Sequence, residues 1–169
     1  MATAHKGVEL PTLNGRGLRI GIVRARWNPT VIDALNAGCR AALLESGVAE
    51  SDIVEVMVPG SYELPFAASV LLNSADAKVD AVVCLGCLIK GETMHFEYIC
   101  EAVTQGIMRL NLDSGKPVMF GVLACLTMDQ ALARAGLGDS PSKHNHGIDW
   151  GKGAVEMALL RTQFPRSSK

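Results

Sequence analysis

Short apolar runs alternate along this chain with longer segments in which apolar residues recur every three or four positions. The runs have the length of buried strands, and the periodic segments have the length of helices. Strands are predicted at 18–25, 52–58, 79–85 and 117–123. The first helix is predicted to start at Asn28-Pro29 and to stop at Gly47, and later helices are predicted at 61–74, 93–113, 127–135 and 149–163.

Each predicted strand is followed by a helix, and this order decides the fold class. Alternating strands and helices call for a parallel sheet with right-handed crossovers and helices on both faces. We therefore predict an α/β fold: a single doubly wound domain with a four-stranded parallel sheet, a flavodoxin-like three-layer sandwich. The polar, glycine-containing residues 1–17 are predicted to be a tail, and residues 18–169 the domain.

Composition narrows the classes of partner. The 169 residues are 49% hydrophobic and 20% charged, with a net charge of −1, so no basic surface indicates nucleic acid or an anionic membrane. The sequence shows neither a membrane-spanning apolar run nor a signal or transit pattern. Five cysteines, an odd number, favour a reducing cytoplasm over a disulfide framework.

Ligands of doubly wound sheets bind beyond the carboxyl ends of the strands. Three of the eight aromatic residues, Trp27, Tyr62 and Phe120, lie in or near these strand ends. With Asn28 and Glu63 beside them, they suggest a planar heterocycle that carries a polyol. Packing between loop and helix would explain each aromatic residue equally well.

The stretch 86–98, GCLIKGETMHFEY, offers an anion site. We read it as a strand end, a glycine-bearing turn and a helix that starts at Thr93, where free amide groups and the helix dipole favour an anion. His95 in the first helical turn is predicted to be a neutral proton carrier near pH 7. From the residues alone, an ordinary loop with a surface histidine explains the stretch as well.

Metal-binding and nucleotide-binding sites are the alternative interpretations of the sequence. Cys84 and Cys87 form a CxxC pair, and His144 and His146 offer two imidazoles, but a strand position and a single pair favour packing cysteines over zinc. The chain lacks GxGxxG, Walker and GxSxG motifs. Arg134 is either a solvated helix charge or a phosphate ligand.

Several segments together resemble one family. These are RARWN (24–28), VPGSYELP (58–65), KGETMHFEY (90–98), PVMFGVL (117–123), and ARAG followed by HNHGIDWG. In this order the chain resembles the 6,7-dimethyl-8-ribityllumazine synthases, and HNHG and Trp27 resemble the fungal branch. The resemblance implies condensation of 5-amino-6-(D-ribitylamino)uracil with 3,4-dihydroxy-2-butanone 4-phosphate, without metal or organic cofactor. A non-catalytic riboflavin- or lumazine-binding protein with the same pocket is the alternative.

The resemblance also implies roles for residues of this chain. His95 would transfer protons, and Trp27 would stack on the pyrimidine. The ribityl chain would be held by Asn28, Ser61, Tyr62 and Glu63. The edge of the ring would contact the backbone of Cys87, Leu88 and Ile89. The phosphate would be bound by Glu92, Thr93 and Arg134. Lys90 is a further candidate.

Two departures from the family pattern affect these implications. His146 stands where many members have a lysine, so a lysine contact to substrate does not transfer. The loop between Arg134 and His146 is longer than in members that form sixty-subunit capsids. We therefore expect a homopentamer, in which Phe120 would reach the site of an adjacent subunit.

Overall fold

Four parallel strands form one sheet in the computed structural model, which describes residues 12–141 and 143–164. The strands are β1 (Ile20–Ala25), β2 (Ile53–Val58), β3 (Ala81–Ile89) and β4 (Val118–Cys125), in the order β2-β1-β3-β4. The helices are α1 (Pro29–Glu45), α2 (Leu64–Asn73), α3 (His95–Ser114), α4 (Met128–Arg134) and α5 (His146–Gln163). The flavodoxin-like α/β fold is confirmed. Most of the predicted tail, residues 1–11, lies outside the described residues, and the domain boundary stays a prediction.

Alternate residues of β3 point into two different cores, which is why this strand reads as a continuous apolar run. Val82 and Cys84 lie in a cluster with α2 and α3, whereas Val83 and Leu85 lie in a cluster with α1 and α5. The sheet is therefore the middle layer of three. Within the described residues, no helix is long and apolar enough to cross a membrane.

Helices α1 and α5 approach each other closely because small residues face the contact. A Cβ atom on Gly147 would lie 2.0 Å from the Leu35 carbonyl oxygen, and one on Gly151 would lie 2.7 Å from that of Cys39. Asn145 links the start of α5 to α1 by two hydrogen bonds. Its Nδ2 donates to the Ala34 carbonyl at 2.8 Å, and its Oδ1 accepts from Gly147 N at 2.9 Å.

Four predicted boundaries differ from the structure in ways that affect the site. Strand β3 continues to Ile89, so Gly86 lies within the strand and not, as predicted, beyond a strand end at residue 85. Helix α3 begins at His95 and not at Thr93, while α5 begins at His146 and not at residue 149. Ser61 opens a short 3₁₀ turn before α2, where the sequence predicted the start of the helix itself.

The strand order creates a crevice at the carboxyl edge of the sheet. From β1 the chain crosses to β2 on one side, and later strands lie on the other side, so the connections diverge between β1 and β3. Such a point of divergence is where open α/β sheets bind their ligands.

Candidate active site

A cleft of about 900 Å³ opens at this crevice. The ends of β1, β2 and β3 form its floor and two walls, and the first two turns of α3 form the third wall. Nine predicted site residues line it: Trp27, Asn28, Ser61, Tyr62, Glu63, Cys87, Leu88, Ile89 and His95. Its size suits a ligand of the dimensions of a substituted heterocycle.

Asn28 joins the ends of β1 and β3 across the cleft. It stands at the N-cap of α1 in the left-handed region, with φ 59°, and its side chain does not cap the helix. Its Nδ2 donates instead to the Cys87 carbonyl at 3.0 Å. Trp27 is 71% exposed, and its ring lies close to Gly60 on the neighbouring strand end. A large aromatic ring left open beside a cleft is suited to stacking on a flat ligand.

The segment after β2 supplies a hydroxyl group, from Ser61, and a carboxylate, from Glu63. The Ser61 side chain is only 4% exposed, and its Oγ has no hydrogen-bond partner among the described residues. A buried hydroxyl without a partner costs about 1–3 kcal/mol, so a ligand that bonds to it recovers that energy. Glu63 is partly engaged, because one of its carboxylate oxygens, Oε2, accepts from Gly60 N at 2.9 Å.

Gly86 makes room for Ser61 at the floor of the cleft. A Cβ atom on Gly86 would lie 2.7 Å from Ser61 Oγ and 2.9 Å from Leu64 Cδ1, and both of those residues are buried. The close approach explains why a glycine interrupts an otherwise bulky strand.

Replacing Gly86 with alanine is expected to destabilise the protein by about 1–3 kcal/mol, because two buried neighbours must move. Urea unfolding monitored by circular dichroism measures the effect. Gly91→Ala is the matched control, since an added Cβ there has no atom within 4 Å and its φ is not left-handed. Equal midpoints for the two variants would show that Ser61 and Leu64 are not held firmly.

Helix α3 contributes more to the cleft than the sequence indicated. His95 lies in the exposed first turn, and Tyr98, Ile99 and Ala102 line the cleft behind it. These residues follow His95 at intervals of three, four and seven, the spacing of one helix face. That periodicity was the signal that could have identified them. Pro59, at the end of β2, was also missed.

The predicted phosphate ligands do not line the cleft. Glu92 and Thr93 lie in the exposed turn before α3, and the His95 amide donates to Thr93 Oγ1 at 3.4 Å. Lys90 is already engaged, because its Nζ pairs with the Glu97 carboxylate and lies 5.8 Å from the centre of the Phe96 ring.

Phe120, Arg134 and His146 also lie apart from this cleft. Phe120 is 40% exposed on β4, at the edge of the sheet. Arg134 ends α4 with an exposed side chain. The charge of Arg134 affects two nearby groups. The pKa of the Cys125 thiol is raised by burial, and the positive charge of Arg134 partly opposes that increase. Burial lowers the pKa of His146, the Asp149 carboxylate opposes this, and His144 and Arg134 lower it further. Arg134 and His146 thus belong to one surface.

A zinc module built from Cys84, Cys87, His144 and His146 is excluded by this arrangement. Cys84 and Cys87 lie on opposite faces of β3, in different cores. Both thiols are buried, and burial raises the pKa of each to about 12, so neither is an available thiolate. The two cysteines are packing residues.

The chain is similar to known proteins over most of its length. Residues 17–162 match the family model described as 6,7-dimethyl-8-ribityllumazine synthase. Proteins of that name in Schizosaccharomyces pombe and Pyricularia oryzae are 48% and 46% identical, and each alignment covers 94% of this chain, with 98% and 96% of the relative. One in Mycolicibacterium vanbaalenii is 47% identical, with 97% of this chain and 99% of the relative covered.

Proposed function

The chain belongs to the 6,7-dimethyl-8-ribityllumazine synthase family, and we propose that its cleft holds the two substrates of this family's reaction side by side. The protein is a transferase of riboflavin biosynthesis. It condenses 5-amino-6-(D-ribitylamino)uracil with 3,4-dihydroxy-2-butanone 4-phosphate and releases phosphate and water. The names of the relatives support this catalytic role over a purely ligand-binding one.

The pyrimidine lies against Trp27 in this proposal. The exposed indole covers one face of the ring, and the backbone from Cys87 to Ile89 follows its edge. The ribityl hydroxyls reach toward Ser61, Tyr62 and Glu63, with Asn28 beside them. The single observation that carries the assignment is the buried, unpartnered Ser61 hydroxyl in the wall of the cleft, since a polyol supplies the missing partner.

The butanone phosphate lies on the other side of His95. Helix α3 has 20 residues, so its dipole is fully developed at the turn that carries Glu92 and Thr93. Exposed amides in that turn suit a phosphate. Arg134 supplies the guanidinium, which pairs with phosphate oxygens in a fork geometry.

His95 stands between the two substrates, where the protons move. The neutral 5-amino group attacks the ketone carbonyl, and one water leaves as the imine forms. Phosphate is then lost, and the ribityl-bearing nitrogen closes the ring with release of a second water. An imidazole that accepts and returns these protons contributes about 10²–10⁴-fold. Holding the two substrates in a reactive geometry contributes up to about 7–11 kcal/mol, the larger share.

We propose a homopentamer as the active assembly, in the cytoplasm. Large apolar side chains of α2 and α3 that do not line the cleft are exposed: Phe66 is 75% exposed, Met108 58% and Val70 53%. Exposed apolar surface of this kind marks protein contacts. In a ring of subunits, Phe120 and Arg134, which lie apart from the cleft of their own chain, would complete the cleft of a neighbour.

Mixing the protein with both substrates tests the function directly. Lumazine absorbance and inorganic phosphate should appear together, at equal rates, in buffer containing a chelator. Sedimentation velocity on the same sample measures the assembly. Absence of turnover with retained binding of a lumazine would instead support the ligand-binding alternative, and a monomer that turns over normally would refute the shared site.

Arg134→Ala is expected to raise KM for the butanone phosphate, because a charge-assisted pair with the phosphate is lost. The affinity for the pyrimidine should stay unchanged. Initial rates at varied concentrations of each substrate separate the two effects. An unchanged KM for the phosphate substrate would remove Arg134 from this role.

Hybrid assemblies decide whether Arg134 acts across subunits. In this experiment Arg134→Ala chains are refolded together with His95→Ala chains. If His95 and Arg134 of one site come from neighbouring subunits, random mixing leaves about a quarter of the sites with both residues intact. Activity should therefore exceed that of either variant alone. If both residues act within one chain, the mixture would show no gain.

A further inference from the structure

Three side chains at the start of α5 converge on one point outside the cleft. His144 Nε2 lies 2.8 Å from Asp149 Oδ2, and His146 Nδ1 lies 3.2 Å from the same oxygen. All three donor atoms lie within 4.8 Å of one another. The set comprises two imidazole nitrogens and one carboxylate oxygen.

These separations are close to those between the ligands of a tetrahedral metal ion. With metal–ligand bonds of about 2.0–2.1 Å, neighbouring ligand atoms lie about 3.3–3.4 Å apart. The two separations from Asp149 Oδ2 are shorter than this by a few tenths of an ångström. Rotation of the imidazole rings and of the carboxylate is the adjustment that an ion between them would require.

The backbone around this set is held in place. His144 N donates to the Ala133 carbonyl at 2.9 Å, and Asn145 caps α5 while bonding to α1. The His146 ring stacks on Trp150, with centroids 6.1 Å apart and planes 30° apart. Ligands positioned in advance by their surroundings bind metals with a smaller ordering cost.

We propose that His144, His146 and Asp149 form a binding site for a borderline divalent transition metal such as Zn²⁺, Co²⁺ or Ni²⁺. Imidazole nitrogen with one carboxylate suits these ions better than Mg²⁺ or Ca²⁺, which prefer oxygen ligands throughout. All three side chains are part exposed, so an ion can enter from solvent, and water completes its coordination.

Metal binding here would strengthen a link between two segments that the contact of His144 with Asp149 already joins. His144 belongs to the loop after α4, whereas Asp149 belongs to the first turn of α5. An ion held by both restrains the loop that follows Arg134, and it stabilises the folded chain by mass action. None of the three side chains lines the cleft of its own chain.

Titration of the untagged, chelator-treated full-length protein with Co²⁺ tests the proposal. One ion per chain should bind and give the visible absorption of low-symmetry Co²⁺, without the near-ultraviolet charge-transfer band of thiolate ligation. Calorimetry with Zn²⁺ should give the same stoichiometry. Saturating Zn²⁺ should also raise the melting temperature.

His144→Ala should weaken binding by more than about tenfold, because even loss of an outer partner of a ligand costs 10–100-fold. Asp149→Asn, which keeps the shape of the side chain, should do the same. His5→Ala and His95→Ala are the matched controls, since they remove the two histidines outside the set, and both should bind like the wild type.

Circular dichroism in metal-free buffer shows whether each variant is folded. Unchanged Co²⁺ binding by folded His144→Ala and Asp149→Asn would overturn the proposal. A strong thiolate band would also overturn it, because it would assign the ion to a cysteine. Absence of any bound ion in the wild-type protein would have the same consequence.

Discussion

Replacing His95 with alanine is expected to lower kcat by about 10²–10⁴-fold and to leave binding of the pyrimidine substrate intact. The size follows from the loss of one positioned proton carrier. Substrate alignment remains, because Trp27 and Ser61 lie on other elements of the cleft. The variant should therefore still be faster than the uncatalysed reaction.

Steady-state rates and pyrimidine titrations, measured on the same preparation, separate these effects. Glu101→Ala is a suitable control, since this exposed residue belongs to the same helix but does not line the cleft. It should keep the wild-type kcat. Loss of pyrimidine binding by His95→Ala would show that His95 holds the ring, and an unchanged kcat would remove it from proton transfer.

Replacing Gly147 with alanine is expected to destabilise the fold by on the order of 3 kcal/mol or more, the upper end of overpacking effects. The added Cβ would lie 2.0 Å from the Leu35 carbonyl oxygen, which is backbone and cannot rotate away. Helices α1 and α5 would have to separate, and the Asn145 bridge between them would stretch or break.

Gly153→Ala on the same helix is the matched control. There the added Cβ would meet Met119 Cε at 2.9 Å, the end of a flexible side chain that can turn aside. Alanine is also about 1 kcal/mol better than glycine inside a helix, so this variant should be neutral or more stable. Thermal and urea unfolding compare the two, and similar midpoints would mean that the helices separate at little cost.

Much of the cleft was predictable because parallel strands bring their carboxyl ends to one edge. Trp27, Ser61 and Cys87 are far apart in the chain, but each lies at or just beyond a predicted strand, and the topology collects them. The predicted roles of these residues rest on the family resemblance, and they stay predictions. Family and fold class are confirmed, since both depend on patterns that extend along the whole chain.

The failures have local physical causes. The third strand was predicted to end just before Gly86, since glycine in an apolar run commonly marks an interruption. In the structure the strand continues, and Gly86 makes space for Ser61, a contact between distant segments. The start of α5 was placed too late, because its first two residues, His146 and Gly147, do not contribute to an apolar helical pattern. Asn28 precedes α1 where the sequence placed the start of the helix, but its side chain donates to the Cys87 carbonyl on β3 and makes no capping hydrogen bond.

Hydrophobic periodicity and segment order were enough to give the element sequence, the parallel sheet and the edge that carries the site, since these follow from short-range spacing and chain topology. They did not give the distances between residues that are far apart in the chain. The close packing of Ser61 and Leu64 against Gly86, the close contact of α1 with α5 and the convergence of His144, His146 and Asp149 arise only when packed elements meet. Such contacts depend on side-chain shape at a scale of tenths of an ångström, to which a one-dimensional pattern is insensitive.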